Sequence, residues 1–278
     1  MVVRVTAKRS IVTIGFCPSW DMTYRCSGLD WGDHKQVSKP AIVPAGKALN
    51  VSKALAWMGN QSTAAGLWGQ EDYKEVMEEL APWTKYLKPS FTPVPGRTRR
   101  NLTLIDSLYR REIHLRESSE LNSNRALQEL RSDLEAVVDG KSLCVFAGLF
   151  PYDKFRSEEL SELVGENIPN RANKMSQAGK GLLNRVEIIL ISRGEKGAIV
   201  LSQDAILRAR CISGGRRVIT TVGCGDYLLA GFLRGMTEKQ NLETALRNAI
   251  QAATAKAWGW TESMSWSQVT SKIRVNIR

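Results

Sequence analysis

The amino-acid sequence predicts an α/β protein in which a mostly parallel central sheet is covered by helices. Apolar runs of strand length alternate with amphipathic segments of helical length along most of the chain. Several of these runs, such as Ile11–Phe16, are almost continuously apolar, which is typical of strands buried on both faces. With 278 residues and 43% hydrophobic content, the chain is long enough for one large domain with a sizeable core, and we expect residues 1–278 to form it.

The elements are predicted in chain order from these patterns. Strands are expected at Ile11–Phe16, Ser62–Leu67, Ser142–Ala147 and Glu187–Ile191, with a hairpin made by Ala198–Leu201 and Leu207–Ile212. Helices are expected at Gly46–Met58, Glu71–Leu80, Asn124–Val138, Arg171–Asn184, Tyr227–Met236 and Leu242–Ala257. The segment Gly66–Gly69 is predicted to be a turn on the ligand side of the sheet.

Charge and cysteine content narrow the class of protein. The net charge of +11 suits anionic small molecules and, equally, a nucleic-acid surface, but the basic residues are dispersed and form no aromatic-interleaved stripe, so no nucleic-acid partner is expected. No apolar run reaches the length of a membrane span, and the basic start leads into a strand without a cleavage site, so neither a membrane partner nor a signal peptide is expected. Five scattered cysteines indicate reduced thiols and a cytoplasmic location.

The stretch Thr220–Leu233 carries the clearest chemical signal. Glycines at 223 and 225 open an apolar helix, so backbone N–H groups can turn toward one point, where the helix dipole adds partial positive charge. Asp226 stands at the mouth of this anion cradle, where a carboxylate makes sense as the base that takes a hydroxyl proton during phosphoryl transfer. The alternative is a glycine-rich turn in which Asp226 only caps the helix.

Three segments together resemble a known family. Pro44–Gly59 and Thr221–Asp226 resemble the two signatures of the ribokinase-like PfkB carbohydrate kinases, and Ile191–Ala198 between them resembles the nucleotide-binding segment of that family. The resemblance is nearest to the branch of fructose-1-phosphate and tagatose-6-phosphate kinases. It implies a ribokinase-like three-layer α/β/α fold with a small β lid, and ATP-dependent phosphorylation of a sugar hydroxyl.

The same resemblance implies roles for the residues that bind the transferred phosphate and the nucleotide. Asp226 is the expected catalytic base, and the N–H groups of Gly223, Cys224 and Gly225 hold the charge of the transferring group. Ser192, Gly194 and Gly197 match the segment that lines ATP, although Ser-x-Gly-x-x-Gly alone is a weak signal.

The substrate side is also implied by the resemblance. Asp21, Gly46, Lys47 and Asn50 are expected to contact the sugar or its phosphate, and Arg99 in Arg97–Asn101 is expected to grip a substrate phosphate, which points to a phosphosugar. Three positions depart from the family pattern: Cys17 replaces an Asn before Pro18, and Ala45 and Ala48 replace glycines. Ala48 would be strained only if its φ were positive. The alternatives are an Asx-turn carboxylate at Asp21 and a solvated basic hairpin at Arg99.

Residues 22–45 and 97–117 are predicted to form the β lid, because Asn101–Ile105 and Glu112–Leu115 alternate like a hairpin. Lids of this kind exclude water from the reaction and, in relatives, often pair between subunits. A homodimer through the lid is therefore expected.

One part of the family pattern is missing after Pro151. The family continues there with a helix, a further sheet strand and a crossover, which need about 30 residues, yet Lys154–Leu160 follows after only two residues. Either a segment is omitted or a central strand is lost. Glu159 aligns with a family residue that helps hold hydrated Mg²⁺, but Phe155 and Arg156 replace Pro-Asn beside it, and Glu159 equally suits an exposed helix carboxylate.

The sequence therefore predicts an ATP-dependent kinase of a phosphosugar of the fructose-1-phosphate or tagatose-6-phosphate type, with ATP and Mg²⁺ as its cofactors. The alternative is a degenerate family member that binds nucleotide or sugar phosphate without transferring anything, which the departures at Ala48 and Arg156 and the short middle motivate.

Overall fold

The computed structural model describes residues 10–37, 39–147, 169–184, 186–214, 216–238 and 241–278. The described chain divides into two compact units, and each unit has its own core. Among these residues, two sheets belong to the N-terminal unit and one to the C-terminal unit. The N-terminal unit comprises residues 10–53 and 61–147, and the C-terminal unit comprises residues 54–60 and the described part of 169–278. None of the described helices is both long enough and apolar enough to span a bilayer.

The N-terminal unit contains most of the strands. Its elements are β1 (Ile11–Gly15), β2 (Ser19–Cys26), β3 (Ala41–Ala45), α1 (Lys47–Trp57), which ends in the C-terminal unit, β4 (Ser62–Gly69), α2 (Tyr73–Leu80), β5 (Leu87–Val94), β6 (Arg100–Asp106), β7 (Arg111–Arg116), α3 (Asn124–Glu135) and β8 (Leu143–Phe146).

The C-terminal unit is built mainly from helices packed on a small sheet. Its elements are α4 (Ala172–Lys180), β9 (Ile188–Ser192), β10 (Ala198–Ser202), β11 (Ile206–Cys211), α5 (Cys224–Thr237), α6 (Leu242–Ala257), α7 (Trp266–Lys272) and β12 (Val275–Ile277).

A parallel sheet forms the centre of the N-terminal unit. Its strand order is β5-β4-β1-β8, and every pairing in it is parallel. Strand β1 is buried, with Ile11, Val12 and Ile14 at most 2% exposed. Because parallel strands end at one edge of the sheet, the residues that follow β1 and precede α1 are placed where such folds bind ligands.

Two details of this sheet differ from the sequence prediction. Gly66–Gly69 continues strand β4, so the predicted turn is wrong; these residues pair with Phe91–Val94 in register. Strand β5 was not predicted because it contains Pro89 and Pro93. Strand β5 lies at the edge of the sheet. Proline is tolerated there because its missing N–H can face away from the neighbouring strand.

A second sheet in the N-terminal unit lies where the lid is predicted. Its order is β3-β2-β6-β7, with β2 parallel to β6 and the two outer pairs antiparallel. Asp106, at the end of β6, is 3% exposed and accepts hydrogen bonds from the backbone N–H groups of Gly28, Leu29, Leu108 and Tyr109. One buried carboxylate thus ties the β6–β7 turn to the loop after β2.

The C-terminal unit has an antiparallel sheet in the order β12-β11-β10-β9. The β10–β11 hairpin agrees with the sequence prediction. Helices α5 and α6 pack against each other beside this sheet, and their apolar faces share one core with β10 and β11. Asn241 caps the start of helix α6, because its side chain accepts a hydrogen bond of 2.8 Å from the N–H of Thr244.

Each of these two sheets ends, among the described residues, at a strand next to the short middle of the sequence. Strand β8 is the last strand of the parallel sheet, and strand β9 is the last strand of the antiparallel sheet. Both carry partly exposed apolar side chains: Phe146 is 65% exposed, and Ile188, Ile189 and Leu190 are half-buried, whereas β10 is buried from Ala198 to Leu201. Each sheet therefore has an open apolar edge at this point.

Candidate active site

The start of helix α5 forms the centre of the candidate site in the C-terminal unit. Gly223 is the N-cap residue and has φ 78°, a left-handed conformation that favours glycine. Cys224, Gly225 and Asp226 form the first turn, where backbone N–H groups lack intrahelical acceptors. Asp226 therefore occupies the third helical position, so the alternative in which it caps the helix is wrong.

The backbone N–H donors of this first turn differ in their hydrogen bonding and exposure. The N–H of Cys224 reaches back to the carbonyl oxygen of Thr221 at 3.4 Å, which is a long hydrogen bond. Gly225 is exposed and Asp226 is half-buried, so their N–H groups stand at the surface of the helix terminus. Burial raises the pKa of the Cys224 thiol, which donates to the carbonyl oxygen of Thr220, so this cysteine is a packed thiol and not a ready thiolate.

Tyr227 anchors the first turn in the core of the unit. Its ring lies 5.8 Å from the ring of Trp57, and the ammonium of Lys256 lies 5.6 Å from its centroid. Burial raises the pKa of Tyr227, and a side-chain hydrogen bond with Thr261 opposes that shift. These contacts fix the ring of Tyr227, the residue after Asp226, within the unit.

The predicted nucleotide residues lie in the connection between β9 and β10. Ser192 ends β9, Gly194 begins a short 3₁₀ turn, and both are exposed. Gly197 has φ 86°, and a Cβ there would lie 2.0 Å from the carbonyl oxygen of Ala209, so only glycine fits. This glycine is thus required by the fold, and the N–H of Arg193 closes the turn on its carbonyl oxygen at 2.8 Å.

In the N-terminal unit, a pocket lies between the end of β1 and the start of α1. Its lining includes Gly15, Cys17, Pro18, Gly46 and Lys47. Lys47 is exposed and Asn50 is half-buried one turn further along the helix. Ala48 is helical, and Arg110 is the one non-glycine residue with positive φ in the described chain, so the replacement of glycine by alanine at 48 causes no strain.

Asp21 lies on strand β2 and is held by two donors. Ser19 Oγ and Asn101 Nδ2 each donate to Asp21 Oδ1 at 2.9 Å. Asn101 Oδ1 is buried and has no hydrogen-bond partner among the described residues. The pair therefore offers acceptor oxygens, which suit the hydroxyl groups of a sugar.

Arg99 contacts the β1–β2 turn beside the pocket. Its guanidinium donates to the carbonyl oxygens of Cys17 and Pro18 at 3.3 and 3.2 Å and to that of Glu117 at 3.0 Å. Guanidinium has five N–H donors, so these bonds position Arg99 without using all of its capacity. Its predicted phosphate contact stays a prediction.

Asp72 supports the same region and was missed by the sequence analysis. This carboxylate is 3% exposed and accepts hydrogen bonds from the indoles of Trp20 and Trp68 and, at 2.9 Å, from the N–H of Thr98. It thereby holds the residue before Arg99. Two of its three donors, Trp20 and Thr98, are distant in sequence, so no local pattern indicates the whole arrangement.

The predicted site residues fall into two groups. Asp21, Gly46, Lys47, Asn50 and Arg99 lie in the N-terminal unit. The C-terminal unit holds the others described: Ser192, Gly194, Gly197, Gly223, Cys224, Gly225 and Asp226. Glu159 and the neighbouring Phe155 and Arg156 lie outside the described residues, so the metal prediction remains open. In the described ranges, no group of three or more His, Cys, Asp or Glu side chains is placed to hold a metal ion.

The N–H groups at a helix terminus are suited to bind an anion, and a carboxylate beside them is suited to take a proton during phosphoryl transfer. Residues 8–156 and 152–257 match the PfkB family, described as pfkB family carbohydrate kinases. The chain belongs to this family and is a carbohydrate kinase by that membership.

Individual relatives narrow the comparison. The chain is 26% identical over 283 residues to 1-phosphofructokinase of Vibrio cholerae, covering 87% of both chains. It is 27% identical over 276 residues to D-tagatose-1-phosphate kinase of Bacillus licheniformis, covering 84% of this chain and 88% of the relative. It is 24% identical over 280 residues to tagatose-6-phosphate kinase of Staphylococcus epidermidis, covering 86% and 89%.

Solved structures agree on the fold. Phosphofructokinase-2 from Escherichia coli in complex with substrates and products is similar with a TM-score of 0.83 and 17% identity, covering 95% of this chain and 98% of that chain. This confirms the ribokinase-like α/β fold that the three sequence segments predict.

The comparisons also bear on the short middle of the chain. The alignment with the Vibrio cholerae relative runs over 283 residues while it covers only 87% of a 278-residue chain, so part of the relative has no counterpart here. The two family matches overlap at residues 152–156. This is the point at which the sequence is too short for the sheet strand and crossover that the family pattern implies.

Proposed function

We propose that this protein is an ATP-dependent kinase that phosphorylates a hydroxyl group of a phosphosugar, of the fructose-1-phosphate or tagatose-6-phosphate type. The observation that carries the proposal is the first turn of α5, where Asp226 stands beside N–H groups that have no intrahelical acceptor. The relatives at 24 to 27% identity, whose names denote kinases of phosphorylated sugars, support the substrate class.

In this mechanism Asp226 accepts the proton of the attacking hydroxyl, and the hydroxyl oxygen attacks the γ-phosphorus of ATP in line. The N–H groups of Gly223 and Gly225, with that of Cys224 when its long bond to Thr221 is released, face the charge on the transferring group. Preorganised donors of this kind stabilise the transition state because they need no reorganisation during the reaction. The positive end of the α5 dipole adds to the same effect.

The sugar is held by the N-terminal unit. Asp21 and Asn101 present acceptor oxygens to hydroxyl groups, while the exposed Lys47 and the guanidinium of Arg99 supply positive charge for the phosphate that the sugar already carries. A planar guanidinium suits bidentate capture of phosphate.

Ser192, Gly194 and Gly197 would border the nucleotide, and Mg²⁺ would accompany its phosphates. Mg²⁺ usually keeps several waters and uses one or two carboxylates together with the phosphates of its substrate, so the carboxylate predicted at Glu159 would suit it. When bound, the ion neutralises charge on the phosphates. The predicted contribution of Glu159 remains part of this proposal.

The protein is also proposed to be a homodimer that pairs through the lid sheet. Alternate residues place Met22, Ile42, Leu102 and Leu115 on one face of that sheet, in register across its four strands. Ile42 and Leu115 are 43% and 58% exposed, so the face is apolar and uncovered in one chain. A cytoplasmic location is proposed because the five cysteines are odd in number and scattered.

A coupled assay of ADP formation tests the proposal. The purified chain, supplied with ATP and Mg²⁺, is expected to form ADP with fructose or tagatose phosphates and not with the corresponding free sugars. Asp226→Asn is expected to lower kcat by at least about 10², because general-base help is typically worth 10² to 10⁴. Asp204→Asn, an exposed carboxylate in the same unit, is the matched control and should leave kcat unchanged.

Thermal unfolding of both variants shows whether the fold is retained. If the wild-type chain binds phosphosugar or nucleotide in calorimetry but forms no ADP with any member of the panel, the protein is a binding member of the family and the proposed catalysis is wrong.

A further inference from the structure

Lys256 lies beside the start of helix α5, although no part of the sequence pattern assigned it a role. It occupies the last turn of helix α6 and is half-buried. The loop before α5 is bound to the same helix end, because the N–H groups of Ile219 and Thr220 donate to the carbonyl oxygen of Ala257 at 2.7 and 3.3 Å. These hydrogen bonds hold the end of α6 against the loop that leads into the catalytic helix.

The side chain of Lys256 runs along the N-cap of α5. A Cβ built on Gly223 would lie 3.5 Å from Lys256 Cε, so the aliphatic stem passes directly beside this glycine. The ammonium lies 5.6 Å from the ring centroid of Tyr227, the residue that follows Asp226. Lys256 therefore brings a full positive charge to the helix terminus, in addition to the backbone dipoles of its first turn.

The charge of Lys256 acts on the first turn. Burial raises the pKa of the Cys224 thiol, and Lys256 opposes that shift while Asp226 adds to it. Among the described residues, the groups whose charges act on this turn include Cys224, Asp226, Tyr227 and Lys256, and Glu262 acts on Tyr227. Of these groups, Lys256 is the cation.

We infer that Lys256 is a catalytic residue of the phosphoryl transfer, whose ammonium contacts the transferring phosphoryl group together with the N–H groups at the start of α5. This inference rests on the proposed function and extends it. The transferring group carries negative charge on its three equatorial oxygens, and a cation held beside the helix terminus stabilises that charge. No bond to Lys256 forms or breaks; its proton stays on nitrogen throughout.

A purely structural role makes a different prediction. A lysine in the last turn of a helix interacts favourably with the helix dipole, and an ammonium over a tyrosine ring gains cation–π energy. Those contributions would change stability and leave the reaction unaffected. Lys272 is the matched control because it is also a lysine in the last turn of its helix, α7, and is exposed.

The experiment compares Lys256→Met, Lys256→Arg and Lys272→Met in steady-state kinetics, in calorimetric binding of ATP and in thermal unfolding. For Lys256→Met we expect kcat to fall by about 10-fold to 10³-fold, the range known for removal of one transition-state donor. KM for the phosphosugar should stay within about 3-fold, because the sugar is held by other residues. Lys256→Arg should recover most of kcat, and Lys272→Met should match the wild type.

The outcomes separate this inference from the proposed function. If Asp226→Asn is inactive while Lys256→Met keeps kcat within about 2-fold of Lys272→Met, the role of Lys256 is wrong and the kinase assignment stands. If the wild type forms no ADP, the kinase assignment is wrong. In that case, equal affinity for ATP in Lys256→Met and Lys272→Met would also overturn the contact of Lys256 with phosphate.

Discussion

At the scale of single residues, Gly223 sets the position of Asp226 in helix α5. Since Gly223 takes the N-cap position with a left-handed φ of 78°, Asp226 falls at the third helical position. A capping aspartate would spend its oxygens on the backbone of its own helix, whereas an aspartate in the first turn can face a ligand. The conformation of this glycine therefore excludes Asp226 as the N-cap residue, and its catalytic role stays a prediction.

Asp106 supports a prediction about the lid at the same scale. Burial of this carboxyl opposes ionisation, but its four backbone N–H donors together hold its pKa well below the usual range. A carboxyl whose pKa is lower in the folded state stabilises the fold above its unfolded pKa of about 4, and this stabilisation is lost as the pH falls through the folded value. Asp106→Asn should therefore lower the melting temperature at pH 7, and the difference from wild type should narrow below about pH 4.

Thermal unfolding between pH 3 and pH 7 measures this effect. Asp33→Asn, an exposed lid carboxyl with one backbone donor, Asp30, is the control and should have a smaller effect at pH 7. Equal melting temperatures for Asp106→Asn and wild type at pH 7 would show that the four hydrogen bonds contribute nothing to the lid.

At the scale of elements, the lid sheet separates its two faces by strand alternation. Asp21, Asn101 and Arg116 lie on one rung of one face, and Met22, Leu102 and Leu115 lie on the neighbouring rung of the other. The first face carries the groups proposed to bind sugar, and the second is apolar and exposed. The same two-residue period thus supplies both a substrate face and a face for a second copy of the chain.

The proposed dimer follows from the apolar face and can be tested on strand β7. Leu115→Lys places a charge on this face and is expected to shift the protein from dimer to monomer in sedimentation equilibrium, because burying an unpaired charge is costly. His114→Lys changes the adjacent residue on the opposite face and should leave the dimer intact. A wild-type chain that is monomeric at micromolar concentration would contradict the dimer.

At the scale of the whole molecule, the described residues leave β8 and β9 as the last strands of their sheets. Both strands present partly exposed apolar side chains. Unpaired strand edges and exposed apolar seams lower stability and promote aggregation. Part of the Vibrio cholerae relative has no counterpart in this chain, and the two family matches meet in the sequence between these two strands.

Calorimetry of two chains tests what this segment contributes. The 278-residue chain is expected to unfold in more than one transition, because its two compact units have separate cores. Insertion after Pro151 of the segment of the Vibrio cholerae relative that lacks a counterpart should raise the melting temperature and merge the transitions. A glycine-serine insertion of equal length is the control. A single transition in the uninserted chain, unchanged by either insertion, would show that the fold needs no further strand.

The sequence by itself determined the family, the α/β class and the residues that lie next to one another in short motifs. Asp226 and its glycines, the β9–β10 turn and the start of α1 were predictable because backbone geometry and helix dipoles act over a few residues. The same locality explains the errors: Gly66–Gly69 resembles a turn by composition, and the pairing with β5 that makes it a strand is a distant contact.

Only the tertiary structure decided which distant residues support these motifs. Asp72 collects donors from Trp20, Trp68 and Thr98, and Lys256 reaches Gly223 because the loop before α5 is bound to the end of α6. Such contacts depend on how helices and strands pack, and packing is set by shape and burial over the whole unit. No local pattern of residue types records them.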